Sequence, residues 1–304
     1  MNFLKNVSSR VSTRINKWRF SRALKGIRDT RPLVAGTEAF VLLSMVHHRD
    51  VDAYLLAAKS FARFLAPRRI VVVADPTITE EDRLLIASHI PHVEFLRAED
   101  FRDPGLPQGG CWERLTAISD LVTTEYVVQL DADTVTLVDL PEVRESVELG
   151  RSFVLGTVTG QVFVSCATAA SWVRGRFPGD THIQSVSESK LDALPEFEKL
   201  RYVRGCAGFS GFPPGSFDRE KVLKFSGRME QLIGDHWRSW GSEQVTSNFM
   251  VANASDAMVL PYPKYCEPLR EDAGTVFLHF FGFVRFLTDR YAQLARRVIG
   301  ELGA

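Results

Sequence analysis

The sequence predicts an α/β protein in a single domain, built on a mixed, mainly parallel sheet flanked by helices. Three observations carry that prediction. Buried-strand patterns alternate with helical patterns of about ten to fifteen residues as far as Leu130, the order of strand–helix–strand units in a parallel sheet. The 304 residues are 45% hydrophobic and 24% charged, enough apolar side chain for a sizeable core and too much for a disordered chain. No repeat, low-complexity stretch or long linker divides the sequence.

The body begins near Pro32 and occupies 32–304, after a leader of residues 1–31. Ala39–Val46 (AFVLLSMV) is an apolar run of strand length, as a strand covered on both faces requires. A loop at His47–Asp50 leads to a helix from about Asp52 to Leu65. Arg69–Ala74 (RIVVVA) is a second strand, stopped by Asp75-Pro76. Thr79 followed by Glu80, Glu81 and Asp82 supplies a cap and an acidic first turn, so Thr79–His89 is a helix. Val93–Leu96 is a third strand, Trp112–Val122 a helix, and Tyr126–Leu130 (YVVQL) a fourth strand. Beyond Asp133 the pattern is less regular. Phe153–Ser165 alternates like a strand or hairpin, Glu188–Leu200 is helical in pattern despite Pro195, and Gly205–Gly215 is rich in Gly and Pro like a loop. Arg219–Leu232 and Ser242–Ala252 are helices, Thr275–Phe281 a late strand, and Asp289–Leu302 a closing helix. Ligands of such sheets bind beyond the carboxyl ends of the strands, which directs His47, Asp75 and Asp131 toward one cleft.

Charge and cysteine usage exclude several classes. Thirty-seven basic and 37 acidic side chains cancel overall, but the leader holds nine basic residues and one acid, Asp29, which leaves the body with a net charge of −8. An acidic body without a basic groove argues against a nucleic-acid partner. The longest apolar run, around Ala39–Met45, is about eight residues, whereas a bilayer takes about twenty; this predicts no transmembrane anchor and excludes a type II Golgi enzyme. Cys111, Cys166, Cys206 and Cys266 are too widely spaced for a zinc or redox motif. They read as free thiols of a reducing, cytoplasmic compartment.

In the leader, Phe3, Leu4, Val7, Val11, Ile15 and Trp18 follow helical spacing and share one face. Lys5, Arg10, Lys17 and Arg19 lie mostly off it, Arg14 intrudes on it, and Phe20, Leu24 and Ile27 point the opposite way. Such a basic amphipathic helix suits the headgroup layer of an anionic membrane on its cytosolic face. A helix packed on the body, a tail, or a transit peptide fits the same residues.

Asp131-Ala132-Asp133, where a buried strand runs out, is the sharpest chemical signal. Two carboxylates so close together are costly unless a cation neutralises them. Hard oxygen ligands suit Mn²⁺ or Mg²⁺, which bridges to a diphosphate. Asp131-Ala132-Asp133-Thr134-Val135 also satisfies the D-x-D-x-[TV] string of haloacid-dehalogenase-type phosphatases. That motif opens its domain on the first strand, however, and needs a later acidic pair. Here three strand–helix units precede it, and neither Gly179-Asp180 nor Gly234-Asp235 has a second acid four residues on.

With the pair on a fourth strand, the sequence resembles a GT-A (Rossmann-like) nucleotide-sugar glycosyltransferase, of the glycogenin and bacterial lipooligosaccharide galactosyltransferase group. The blocks that carry the likeness fall in the family's order over residues 39–290: Tyr54-Leu55-Leu56-Ala57-Ala58-Lys59-Ser60, Ile78–Arg83, Arg114-Leu115, the Asp pair, Cys206-Ala207-Gly208-Phe209, Glu243-Gln244 with Asn248, and His279 through Arg285. The resemblance implies transfer of a hexose from a UDP-sugar to an acceptor hydroxyl with retention, the acceptor a glycan, protein, lipid or lipid-linked glycan. It also implies a Mn²⁺ or Mg²⁺ ion on Asp131, Asp133 and His279, and a donor contacted by His47, Asp75, Arg114, Ala132, Gly208, Gly282 and Arg285.

A neutral imidazole is a suitable third ligand for Mn²⁺. Gly282 would let backbone approach phosphate, and Arg285 would pair with the departing diphosphate, where transition-state charge grows. Gln244 falls where the family orients and stabilises the oxocarbenium-like state, with Glu243 beside it on sugar or acceptor; in an inverting enzyme Glu243 becomes the base. Ser242-Glu243 also fits a plain helix start. Two positions depart from the family: Cys206 stands for Asn, and Arg285-Phe286-Leu287 for Lys-Pro-Trp. Those departures also suit a second class, an inactive nucleotide-sugar-binding scaffold at a membrane.

Overall fold

A computed structural model describes the backbone of residues 2–160 and 162–303, and side chains from residue 11 to residue 303 except Gln161 and Phe283. In chain order the elements are α1 (Asn2–Leu24), β1 (Glu38–Val46), α2 (Val51–Ala62), β2 (Pro67–Ala74), α3 (Glu80–His89), β3 (Val93–Arg97) and α4 (Trp112–Leu121). Then come β4 (Val127–Leu130), β5 (Thr134–Thr136), α5 (Pro141–Leu149), β6 (Ser152–Leu155), β7 (Val164–Ser165), α6 (Cys166–Arg176), α7 (Ile183–Glu188), β8 (Arg201–Tyr202) and β9 (Cys206–Phe212). The chain closes with α8 (Arg219–Ile233), α9 (Ser242–Ala252), β10 (Ala257–Val259), β11 (Tyr265–Cys266), β12 (Phe277–His279) and α10 (Arg290–Gly303).

The expected mixed, mainly parallel sheet is present. Seven strands run in the order β10-β6-β9-β4-β1-β2-β3. β1 pairs in parallel with β2 and β4, β2 with β3, and β6 with β10; β9 is antiparallel to both its neighbours. Helices cover both faces, so β1, β2 and β4 are buried almost throughout, which explains their mostly apolar sequences. α3 starts as its sequence implies: the Thr79 hydroxyl accepts the Asp82 amide at 3.2 Å, and the Asp82 carboxylate accepts the Thr79 amide at 2.9 Å. A second sheet, β11-β12-β5, stands at the end of β4.

Three segments differ from the sequence expectation. Phe153–Ser165 is neither one strand nor a hairpin: β6 ends at Leu155 in the main sheet, and β7 pairs with β8 in a separate one. The Gly-rich stretch from Cys206 is a strand, not a loop. Its glycines make room: a Cβ on Gly211 would lie 2.6 Å from the Tyr126 hydroxyl and overlap the Phe153 ring. Glu188–Leu200 is not one helix. Pro195 removes a donor, Glu196 takes a positive φ of 58°, and only short 3-10 turns form.

α1 lies against α10 and splits its side chains as the sequence phase suggests. Phe20, Leu24 and Ile27 are buried in one core cluster with Tyr291, Leu294 and Val298, and the Phe20 ring stacks on Tyr291 at 3.7 Å. Val11, Ile15 and Trp18 face outward; Phe3, Leu4 and Val7, on the same predicted stripe, lie outside the described side chains. Buried Lys59 ties the end of this segment to the body, its ammonium donating to the Thr30 hydroxyl at 2.8 Å and the Arg31 carbonyl at 2.7 Å. All four cysteines are free thiols. No described helix is long and apolar enough to cross a membrane.

Candidate active site

The site forms where the two sheets meet. β4 ends at Leu130 and β5 begins at Thr134, so Asp131-Ala132-Asp133 is the turn between them. Both sheets pin that turn: the Asp131 amide donates to the Gly208 carbonyl at 2.9 Å, and the Phe280 amide donates to the Asp133 carbonyl at 2.8 Å. The Thr134 hydroxyl closes the turn onto the Asp131 carbonyl at 2.9 Å. The register of β12 against β5 sets His279 opposite Thr134.

Pairing of the sheets thereby brings together side chains 146 residues apart in sequence. One ligand atom each from Asp131, Asp133 and His279 lies within 4.8 Å of the other two. His279 Nε2 is 3.0 Å from Asp133 Oδ1 and 3.7 Å from Asp131 Oδ2. Asp133 and His279 are buried, while Asp131 keeps some access to solvent. Two carboxylates and an imidazole, converging and partly open, fit a divalent cation of Mn²⁺ type.

The sequence reading missed how the imidazole is seated. A Cβ on Gly208 would lie 2.7 Å from both ring nitrogens of His279, so only glycine admits the ring. On the far side, Cys206 Sγ lies 3.4 Å from His279 Nδ1. That contact on Nδ1 leaves Nε2 as the ring atom that faces the carboxylates. Gly208 thus shapes the site through space it leaves empty, and Cys206 closes the other side of the ring.

Cations flank the carboxylates on both sides. Arg114 pairs with Asp131 and donates to Glu243 Oε1 at 3.2 Å and Oε2 at 3.3 Å. Arg285 pairs with Asp133, lies 3.5 Å from Asp50, and is braced by donation from Nε to the Phe280 carbonyl at 3.1 Å. It rides on a 3-10 turn, Gly282–Phe286. Gly282 opens that turn at φ 48° in otherwise open space, so its role is backbone conformation.

These contacts drive the buried acids in opposite directions. Burial acts to raise the Asp133 pKa, but His279 and Arg285 overcome it and hold the group at about 2. Burial pushes Glu243 up to about 7, with Arg114 opposing and Asp131 adding to the rise.

Gln244 accepts the Ala207 amide at 3.3 Å and donates to Gln184 Oε1 at 3.3 Å. Gln184, on the six-residue helix α7, carries no sequence signal; only the tertiary packing of α7 on α9 selects it. Asn248 donates to the Gly205 carbonyl at 3.0 Å, which fixes α9 beside β9. Trp112 is a core residue, its indole donating to the Ser242 hydroxyl at 2.9 Å.

His47 and Asp75 stand farther along the strand ends, in a cavity of about 440 Å³ that they share with Met45, Arg49, Cys111 and Trp240. Asp131, Asp133 and His279 are not among its walls; α4, which starts at that cavity, carries Arg114 from one place to the other. His47 Nδ1 is 3.1 Å from Asp75, which also accepts the Thr77 amide at 2.9 Å. His48 turns away to Asp82 at 2.7 Å.

A mainly parallel sheet with one antiparallel strand is joined to a small second sheet at an Asp-x-Asp turn, the arrangement that the GT-A resemblance implies. Solved structures similar to this fold include galactosyltransferase LgtC in complex with donor and acceptor sugar analogs, at 13% identity over 87% of this chain and 97% of that one, TM-score 0.47. Mouse xyloside xylosyltransferase 1 is 13% identical over 81% of this chain and 98% of its own, TM-score 0.49. Glycosyltransferase GlyE of Streptococcus pneumoniae is 12% identical over 87% of this chain and 63% of its own, TM-score 0.48. No protein-family model and no curated protein matches the sequence.

Proposed function

We propose that the protein is a metal-dependent glycosyltransferase that moves a hexose from a UDP-sugar to an acceptor hydroxyl with retention of configuration. The observation that carries this reading is the convergence of Asp131, Asp133 and His279 between two cationic side chains at the sheet junction. A divalent ion held by those three residues would neutralise the donor diphosphate. The glycosidic bond to the UDP oxygen breaks, a new bond forms to the acceptor oxygen, and the acceptor proton passes to the leaving phosphate.

Arg285 supports that departure, because a guanidinium already held at the site matches the growing phosphate charge without further ordering. Gln244, fixed by Ala207 and Gln184, is the group set beside the anomeric carbon. Glu243 and Arg114 orient sugar hydroxyls as a buried acceptor–donor pair, and the cavity of His47 and Asp75 takes the base and ribose. The acceptor is a lipid or lipid-linked glycan on the cytosolic face of a membrane. A scaffold that merely resembles such enzymes has no use for the glycine seat that Gly208 keeps for His279, which favours the catalytic reading.

The test is release of UDP from a panel of UDP-sugars by the purified protein, in Mn²⁺ and in EDTA. The expected result is turnover of one UDP-sugar in Mn²⁺ alone. Binding without turnover, with every plausible acceptor and with water, would return the scaffold reading.

A further inference from the structure

We propose that the outer face of α1 is a docking surface for an anionic lipid bilayer, and that docking sets the rim of the candidate active site against the membrane. The surface itself is independent of the enzymatic reading; the purpose of the orientation rests on it.

α1 has two faces with different employment. Its inner face is committed to the body: Asn16, Phe20 and Leu24 are buried, and the Asn16 amide donates to the Phe286 carbonyl at 3.1 Å. On its outer face, among the described residues, the apolar groups stay open to solvent. Val11, Ile15 and Trp18, spaced four and three residues apart, are 49%, 44% and 60% exposed. Three large apolar side chains aligned on one exposed helical stripe, one of them Trp, are a costly arrangement in water and a favourable one at a headgroup boundary.

Charge selects the occupant. Residues 11–25 contain Arg14, Lys17, Arg19, Arg22 and Lys25 and no acid, and all five cations are exposed. Among the described residues only Arg19 of these enters an ion pair, at 3.7 Å from Asp289; Arg22 lies over the Trp18 ring at 5.5 Å. Anionic lipid headgroups complement this set, while the acidic body is repelled from the same surface, so charge also sets which way the molecule faces. A second copy is disfavoured as occupant, because a two-fold contact through this face would bring ten cations together.

The consequence for the site comes from Phe286. It ends the turn that carries Arg285, its ring is 5.7 Å from Phe20, and its carbonyl takes the Asn16 hydrogen bond. A bilayer on the outer face of α1 therefore lies one helix diameter from the Arg285 turn, where a lipid-borne acceptor hydroxyl would need to arrive.

The experiment uses the full chain, co-sedimented with neutral phosphatidylcholine vesicles and with vesicles containing about 30% phosphatidylserine. Two double variants are compared with it, Ile15→Ser with Trp18→Ser, and Arg14→Glu with Lys17→Glu. All four positions are exposed, so both variants should melt close to the parent. The proposal expects pelleting with anionic vesicles only, relieved by salt, and a partition coefficient at least about tenfold lower in either variant. No pelleting of the parent, or equal pelleting of the variants, overturns it. A concentration-dependent dimer that either variant dissolves, with no vesicle binding, overturns it in favour of a second copy. Vesicle binding without UDP release in any condition leaves the docking surface standing and removes the enzymatic reading instead.

Discussion

Asp133 and Glu243 are both buried acids of one site, and each faces an arginine, yet folding moves them in opposite directions. Asp133 is held at about 2 and Glu243 is raised to about 7. Burial penalises both charged forms; the difference lies in how many cations each acid commands. Asp133 has two close basic partners, Arg285 and His279, each nearer to it than to any other acid. Glu243 shares Arg114 with Asp131, which adds repulsion while diverting the cation. Folding thus favours the charged form of the acid at one end of the site and the protonated form of the acid at the other.

Breaking the Asp133 end should have the largest effect. Asp133→Asn keeps the shape and removes the charge, and is expected to abolish Mn²⁺-dependent UDP binding in calorimetric titration; unchanged affinity would remove the metal-site assignment. Arg285→Ala comes next, with kcat for UDP release expected to fall by about 10²–10³-fold and Arg285→Lys recovering part of it. If both variants keep parental turnover, the guanidinium has no part in the reaction. Gly208→Ala forces the His279 ring out of its seat, and Mn²⁺ affinity should drop by about 10–100-fold, read by the same titration. Parental affinity there would mean that the ring can shift without cost.

The smallest effect sharpens the comparison through pH. Glu243 binds its proton more tightly folded than unfolded, so its contribution to stability is full below its ordinary value of 4.5 and is lost as pH rises to about 7. Asp133 has the reverse sign: its contribution is present above 3.8 and is lost as pH falls toward 2. Relative to the parent, Glu243→Gln should therefore melt progressively higher as pH rises from 4.5 to 7. Parallel melting curves over that interval would show that Arg114 keeps Glu243 ionised throughout.

The first half of the fold is legible because its signals are local. Mostly apolar strands, the Thr79 cap and the Asp pair at the end of β4 each declare themselves within a few residues. His279 was reachable because it closes an apolar strand ahead of Gly282 and Arg285. The remainder depends on partners distant in sequence. β9 reads as loop because Gly208 and Gly211 mimic turn residues, although both are glycines to admit side chains from other strands. Gln184 acquires meaning only from Gln244, and the contact of Cys206 with His279 spans 73 residues of sequence. The inward turn of Phe20, Leu24 and Ile27 shows as a lost helical phase, but the packing partners that explain it, Phe286 and α10 among them, lie at the other end of the chain.

The most direct test is the thermal shift of the purified protein with UDP, in Mn²⁺ and in EDTA, compared with other nucleoside diphosphates. A ligand bound only by the folded state raises the melting temperature by mass action. A rise with UDP that needs Mn²⁺ and is absent in Asp133→Asn is the predicted result. A rise of equal size in EDTA, or none with any nucleotide, would contradict the assignment of Asp131, Asp133 and His279 as the metal end of a donor site.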